Sequence, residues 1–283
     1  MKLSIIVATH NRPASLVRLM RSLAPQLHQG EHELIIAENG TAAPAALPDE
    51  LPSFTHLHER HRGKCQIQNR AIREAHGEVL VFLDDDLTVS ESYVAAVEAF
   101  FSGHPEFAAM AGRILPAQDP RTVAGDLSVY LDLPIFDRGT QVVEVRGVLG
   151  ANMAFRASVL QTVGPFDERL GPGAAGHEEE TEMSARLHRK GFRIGYAPEA
   201  LVRHEVDPLR ADRDRFIHIS RERGRCRMLH EQHSALEVLS KIVVAWCRLK
   251  VARISRSSMW RIAREERRLA VARGMFDGLG IRG

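Results

Sequence analysis

The chain has 283 residues, 44% of them hydrophobic and 26% charged. That is enough to bury one large domain, or one domain with an appendage, and it excludes a disordered chain. Its three cysteines, Cys65, Cys226 and Cys247, match neither a disulfide framework nor zinc-site spacing, which points to a reducing compartment. The net charge of +2 conceals an asymmetry. From Arg203 onward there are 19 Lys and Arg against 10 Asp and Glu, net +9, leaving −7 for the first 202 residues: an acidic body with a basic tail.

Met1 to His10 is too short and turns polar too soon for a signal peptide, so Leu3 to Ala8 reads as a first strand and the protein is expected on the cytoplasmic side. No apolar run approaches the roughly 20 residues that span a bilayer. Ile242 to Cys247 comes nearest and is fenced by Lys241 and Arg248. After Thr9-His10-Asn11-Arg12-Pro13, helical spacing begins at Ala14 through Leu16, Leu19, Met20 and Leu23, with Pro13 suited to the first turn. Glu33 to Glu38 is a second strand stopped by Asn39-Gly40, followed by a surface connection from Thr41 to Pro52. Phe54 to His58 reads as a third strand. Gly63 to His76 reads as a helix ended by Gly77.

Val79 to Leu83 is an unbroken apolar run, the pattern of a strand buried on both faces in a parallel sheet. It ends in Asp84-Asp85-Asp86. Three adjacent carboxylates repel one another and call for a cation; the alternative is a solvated acidic turn capping the next helix through Ser90. That helix is expected from about Glu91 to Phe101. Strand and helix alternating in this way predict a doubly wound α/β sheet. Thr9 to Arg12, Glu38-Asn39 and the aspartates then share the strands' C-terminal edge, where open α/β sheets collect ligands.

Phe107 to Leu115 is a further strand, Pro116 to Gly139 has no firm assignment, and Gln141 to Leu149 alternates as a strand. Gly150 to Arg156 leads into a helix from about Ala157 to Val163, then the turn Gly164 to Glu168 and a glycine-rich, mobile segment from Leu170 to Gly176. The next helix holds Glu178, Glu179, Glu180 and Glu182. At 100° per residue Glu179 and Glu180 flank the apolar face marked by Met183 and Leu187, while Glu178 and Glu182 point away. The helix dipole accounts for the outer pair, and Glu182 with Arg186 is expected to be a surface ion pair worth about 0.3 to 0.5 kcal/mol. Phe192 to Tyr196 and Leu201 to Arg203 are short strands, and His204 follows. From Pro208 the chain reads as helices with apolar and arginine-rich sides. These suit either an anionic membrane interface or a packed helical subdomain with a solvated basic face.

Ser4 to Pro13 and Phe82-Leu83-Asp84-Asp85-Asp86 resemble the N-terminal signature and the DxD element of family 2 glycosyltransferases of the GT-A fold. Gly150 to Arg156, Phe166-Asp167-Glu168, Glu179 to Glu182 with Arg186-Leu187, and Gly191 to His204 follow in the family's order. The resemblance covers about residues 3 to 204. It implies a Rossmann-like GT-A catalytic domain over residues 1–207, followed by a basic helical extension over 208–283. It also implies an enzyme that uses a nucleotide-diphospho-sugar, acts on a glycan or lipid-linked acceptor and has no nucleic-acid partner. Thr9, His10, Asn11 and Arg12, with Glu38, Asn39, Lys64 and Asn69, would meet the donor. Glu38 stands where the family more often has Asp, and Gln68 where it often has Arg. Asp84 or Asp85 would contact ribose, and Asp86 would hold Mg²⁺ or Mn²⁺ with His204 as a second ligand. Glu180 would be the general base of an inverting displacement and Glu179 its support. Two other readings remain on this evidence: a nucleotidyl or phosphoryl transferase, and a non-catalytic nucleotide-sugar-binding protein of the same fold.

Overall fold

The computed structural model describes residues 1–27, 32–40, 42–48 and 51–280. Of the connection expected from Thr41 to Pro52, Thr41, Asp49 and Glu50 lie outside the described residues. The chain divides into two compact units. The first comprises Met1–Ala117, Pro134–Ala174 and Glu179–Glu205; the second comprises Gln118–Leu133, Ala175–Glu178 and the chain from Val206.

The first unit opens as the periodicity predicts, with β1 (Leu3–Thr9), α1 (Pro13–Leu23), β2 (Glu33–Asn39), β3 (Thr55–Glu59), α2 (Lys64–Glu74) and β4 (Val79–Asp84). Parallel pairing of β3, β2, β1 and β4 brings the ends of β1, β2 and β4 to one edge. β4 is apolar from Val79 to Leu83 because both its faces are covered there. Val79, Val81 and Leu83 join the core under α1, whereas Leu80 and Phe82 join the core under α2.

Beyond β4 the chain departs from expectation. The aspartates lead into a short strand, β5 (Leu87–Val89), and α3 (Tyr93–Gly103) starts only afterwards with no side-chain cap, so the acidic turn is not a helix cap at Ser90. β6 (Phe107–Pro116) follows. In Pro116 to Gly139 lie the short α4 (Pro120–Ala124) and a 3₁₀ turn (Gly125–Tyr130), both in the second unit. The strand expected over Gln141 to Leu149 is only β7 (Val143–Val145). Asn152 to Arg156 is itself a strand, β8, antiparallel between β4 and β6, before α5 (Ala157–Val163). After α6 (Glu179–Arg189), the two short strands expected around Pro198 are one, β9 (Arg193–His204).

The strand order β3-β2-β1-β4-β8-β6-β9-β5 poses a geometric problem. Four interstrand spacings separate β4 from β5, about 19 Å if the sheet were flat. The chain from Asp84 to Leu87 spans at most about 11 Å. The sheet must therefore curl. The register of β6 on β9 slips between Gly112 and Arg113, whose partners are Ala197 and Leu201, and such irregularities bend strands. Asn152 fills the bend, taking the Tyr93 hydroxyl proton at 2.7 Å and donating to the Ala200 carbonyl at 2.8 Å and the Arg113 carbonyl at 3.2 Å. Gly112 makes room for it: a Cβ there would sit 2.1 Å from the Asn152 amide nitrogen.

The second unit gathers α7 (Arg213–His230), α8 (Ala235–Ile254) and α9 (Met259–Gly278). α7 and α9 approach closely through glycines; a Cβ on Gly274 would meet the Arg221 carbonyl oxygen at 1.8 Å. α8 begins with a reciprocal cap in which Ser234 accepts from the Glu237 amide and Glu237 accepts from the Ser234 amide. Part of the basic tail is internally paired. Arg213 and Arg253 both hold the buried Glu266 at 2.7 Å, and Arg223 and Arg267 hold Asp132.

Candidate active site

The edge formed by β1, β2 and β4 carries the anticipated polar residues, and the curl of β9 brings His204 to them. Asp85 and Asp86 are buried, and Asp84 is partly open. Thr9 at the end of β1 donates to Asp85 at 2.7 Å. The Arg12 guanidinium reaches Asp85 at 3.2 Å and Asp86 at 2.8 Å. His204 Nε2 lies 3.0 Å from the other oxygen of Asp86. Burial pushes the Asp85 carboxyl up despite the Thr9 hydrogen bond and the charge of Arg12. Burial opposes charge on His204, but its hydrogen bond and attraction to Asp86 outweigh that and raise its pKa.

Asp86 and His204 are thus one carboxylate and one imidazole facing each other. The His204 Nδ1 lies 2.8 Å from the Glu205 carbonyl, to which it can only donate, so Nε2, here hydrogen-bonded to Asp86, is the nitrogen that would act as ligand on losing its proton. That donor set fits Mg²⁺ or Mn²⁺, which want oxygen and tolerate one imidazole. Among the described residues no cluster of three or more His, Cys, Asp or Glu could hold an ion, so phosphate oxygens or water would complete the shell around this pair.

A second charged cluster begins at α2. Lys64 Nζ donates to Asp84 at 2.7 Å and lies 3.6 Å from Glu179, joining the aspartate turn to the start of α6. Burial opposes its charge, but Asp84 and then Glu179 more than offset this, and its pKa is raised. Gly150 lies alongside, where a Cβ would be 3.4 Å from Lys64 Nζ. Glu180, half-buried, has its carboxyl pushed up to about 8 by burial and then by the charge of Glu179, with Lys64 acting in the opposite sense. Burial likewise raises the Cys65 thiol, which makes it a poor nucleophile.

The other expected donor residues serve the frame as well. Asn39 donates weakly to the Thr9 carbonyl at 3.4 Å and accepts from the Gly63 amide at 3.2 Å, while its own carbonyl is 2.6 Å from His10 Nδ1. Asn11 takes a positive φ of 53°. Glu38 is buried against His56 at 2.9 Å and accepts from the Ala45 amide at 2.8 Å. Asn69 is fully engaged, exchanging hydrogen bonds with the Phe166 backbone and donating to Glu168. Gln68 is buried, and among the described residues its amide has no hydrogen-bond partner.

Four glutamates read as one helical group have separate fates. Glu178 precedes α6 with φ 77° and belongs to the second unit, where Arg227 holds it at 3.1 Å. Neither Glu178 nor Glu182 points into solvent. Glu182 is buried, 2.8 Å from Arg186, whose other nitrogen donates to the Val163 carbonyl, so this is no surface pair. Breaking it would cost about 3 to 5 kcal/mol. In the glycine-rich segment the Pro172 carbonyl accepts from the Lys64 amide at 2.9 Å. The bend at Asn152 escaped the sequence reading; its only local trace is the motif Gly150-Ala151-Asn152.

The model of glycosyl transferase family 2 matches residues 4–164, more than half of the chain. This chain belongs to that family. The family 2 enzyme is 22% identical over 229 residues to a glucosyl-dolichyl phosphate glucuronosyltransferase of Haloferax volcanii, covering 77% of this chain and 73% of that one. It is 28% identical over 225 residues to the succinoglycan biosynthesis protein ExoM of Rhizobium meliloti, covering 74% and 68%. Among solved structures it resembles a mannosyltransferase from Pyrobaculum calidifontis in complex with GDP-Man and Mn²⁺. The TM-score is 0.63 at 14% identity, with 99% of this chain and 88% of that one covered. TarS of S. aureus, residues 1–349 with UDP, follows at TM-score 0.53 and 17% identity, with 90% and 73% covered. The family 2 enzyme therefore has the GT-A fold and is a glycosyltransferase, and the nucleotidyl-transfer and non-catalytic readings give way.

Proposed function

We propose that the enzyme moves a sugar from a nucleotide-diphospho-sugar to a hydroxyl of a glycan or lipid-linked acceptor, with inversion, as a peripheral enzyme of the inner membrane face. The observation that carries this is the bridge by Lys64 between two carboxylate groups of opposite use: Asp84 to Asp86 on one side, Glu179 and Glu180 on the other. Thr9 to Arg12, Glu38 and Asn39 form the wall for base and ribose, with Asp84 or Asp85 toward the ribose. Lys64 and Arg12 are the cations for the diphosphate. Asn69 holds the turn at Phe166 and so acts as a positioning residue.

Mg²⁺ or Mn²⁺ held by Asp86 and His204 would supply positive charge to the departing diphosphate. Glu180 takes the acceptor's proton as the acceptor oxygen bonds to the anomeric carbon. The bond from that carbon to the phosphate oxygen breaks, and its electron pair leaves with the nucleoside diphosphate. Glu179, between Lys64 and Glu180, keeps the base oriented. One base and one metal-held leaving group suit a single displacement, hence inversion. A panel of nucleotide-sugars with Mn²⁺, scored by release of nucleoside diphosphate, tests the reading. Turnover with at least one donor is expected, and failure of every donor to bind or react would sink it.

A further inference from the structure

α8 is apolar on two opposite faces. At 100° per residue, Val238, Ala245, Leu249 and Ala252 form one stripe, and this stripe is buried. It is used internally, against Met228 of α7 and Leu269 and Met275 of α9. The reverse face carries Leu236, Leu239, Val243, Val251 and Ile254, all exposed, with Val243 at 59% and Ile254 at 81%. No described residue covers it. A row of large aliphatic side chains on one helix goes beyond the scattered apolar exposure of ordinary surfaces.

The charge around this face narrows what covers it. From Lys241 to Arg264 there are seven Lys and Arg and no Asp or Glu. At 100° per residue Lys250 lies about 40° and Arg248 roughly 120° from the face's centre, while Arg253 is held by Glu266. A second copy of the chain would set these cations against their own kind. Trp246, half-exposed, lies about 80° from the face's centre, and the Lys250 ammonium is 5.4 Å from its ring centroid. An indole and long basic side chains around an aliphatic strip match the boundary between acyl chains and anionic headgroups. No helix among the described residues is long and apolar enough to cross a membrane, so α8 would lie in the plane of the interface.

We infer that the outer face of α8 is the bilayer-docking surface of the enzyme, inserting Leu239, Val243 and Ile254 among acyl chains while the surrounding arginines and lysines meet anionic headgroups. This deepens the peripheral-membrane part of the proposed function and rests on it. The test uses the full chain and two sets of vesicles, phosphatidylcholine alone and phosphatidylcholine with phosphatidylglycerol, read by co-sedimentation. Binding at least about tenfold tighter to the anionic set is expected. The pair Val243→Glu with Ile254→Glu should weaken it about a hundredfold or more, and Val243→Ser with Ile254→Ser by less. Both side chains are solvent-facing, so an unchanged thermal transition is expected and reports retained folding. Donor turnover in vesicle-free solution should equal that of the parent. Lost vesicle binding with intact turnover supports the docking surface. Vesicle binding without turnover in the parent sinks the transfer reading alone. The inference is overturned if the parent ignores anionic vesicles, if the glutamate pair binds like the parent, or if the parent is a dimer in solution that the glutamates dissociate.

Discussion

Replacing Glu180 by Gln should do two separable things. A carboxyl whose ordinary value is 4.5 is held at about 8 in the folded enzyme by burial and by Glu179. Below pH 4.5 the folded and unfolded states both carry the proton. Between 4.5 and 8 the unfolded chain has released it and the folded enzyme has not, so this group's contribution to stability falls as pH rises and is gone above the folded value. The full loss is on the order of 5 kcal/mol. Gln has no proton to lose. Glu180→Gln should therefore match the parent near pH 4.5 and melt ~5 to 10 °C above it at pH 9, at roughly 2 °C per kcal/mol for a chain of this size. In parallel, sugar transfer should fall by about 10² to 10⁴ with donor binding retained. Differential scanning calorimetry at both pH values, beside an assay of transfer, reads both effects. Superimposable pH dependences of melting for parent and variant would refute the raised carboxyl. Undiminished transfer would place the base elsewhere.

His204→Gln should raise the Mn²⁺ concentration needed for half-maximal donor turnover by a hundredfold or so, since even outer-shell changes cost about 10 to 100 in metal affinity; an unchanged titration would free His204 of that role. In the parent, kcat/KM should climb as pH rises through about 8, because the base form of Glu180 appears there; a flat profile from pH 6 to 9 counts against it. Gly112→Ala should cost about 2 to 5 kcal/mol by urea unfolding, because its Cβ displaces Asn152 and breaks buried hydrogen bonds. A neutral effect would show that the bend needs no glycine. Asn69→Ala should cost about 1 to 3 kcal/mol and raise KM for the donor, read by melting and by nucleoside diphosphate release.

Strand β4 and its aspartates were legible because a fully covered strand must be apolar along its whole length, and the run stops where the sheet edge begins. The edge residues at Thr9, Glu38 and Asn39 followed from the same logic of alternating strands and helices. What the sequence hid was non-local. β5 is three residues long and acquires its identity only from pairing with Val202 to His204. β8 offers Asn, Met, Ala and Arg around one Phe, a composition that leaves helix and strand undecided until β4 and β6 flank it. The helical wheel assumed Glu178 shared the helix; a backbone turned to positive φ gave that side chain to Arg227 instead. The pairing of Asp86 with His204 depended on a bend whose parts, Gly112, Asn152 and Ala200, lie far apart in the chain.

That bend also dictates when the site can exist. The aspartates leave β4 and enter β5, whose sole strand partner among the described residues is β9, the last strand in the chain. Arg12 precedes Asp86 by 74 residues, yet the turn that carries Asp86 cannot be fixed until β9 has been added. Pairings this distant in sequence make for slow closure of the chain on itself. During synthesis the N-terminal strands would be complete well before Asp86 and His204 can face each other. A product stopped short of Arg193 would hold all three aspartates, all of Thr9 to Arg12, Glu38 and Asn39, and Glu180, and still lack the final strand that sets the aspartates in place.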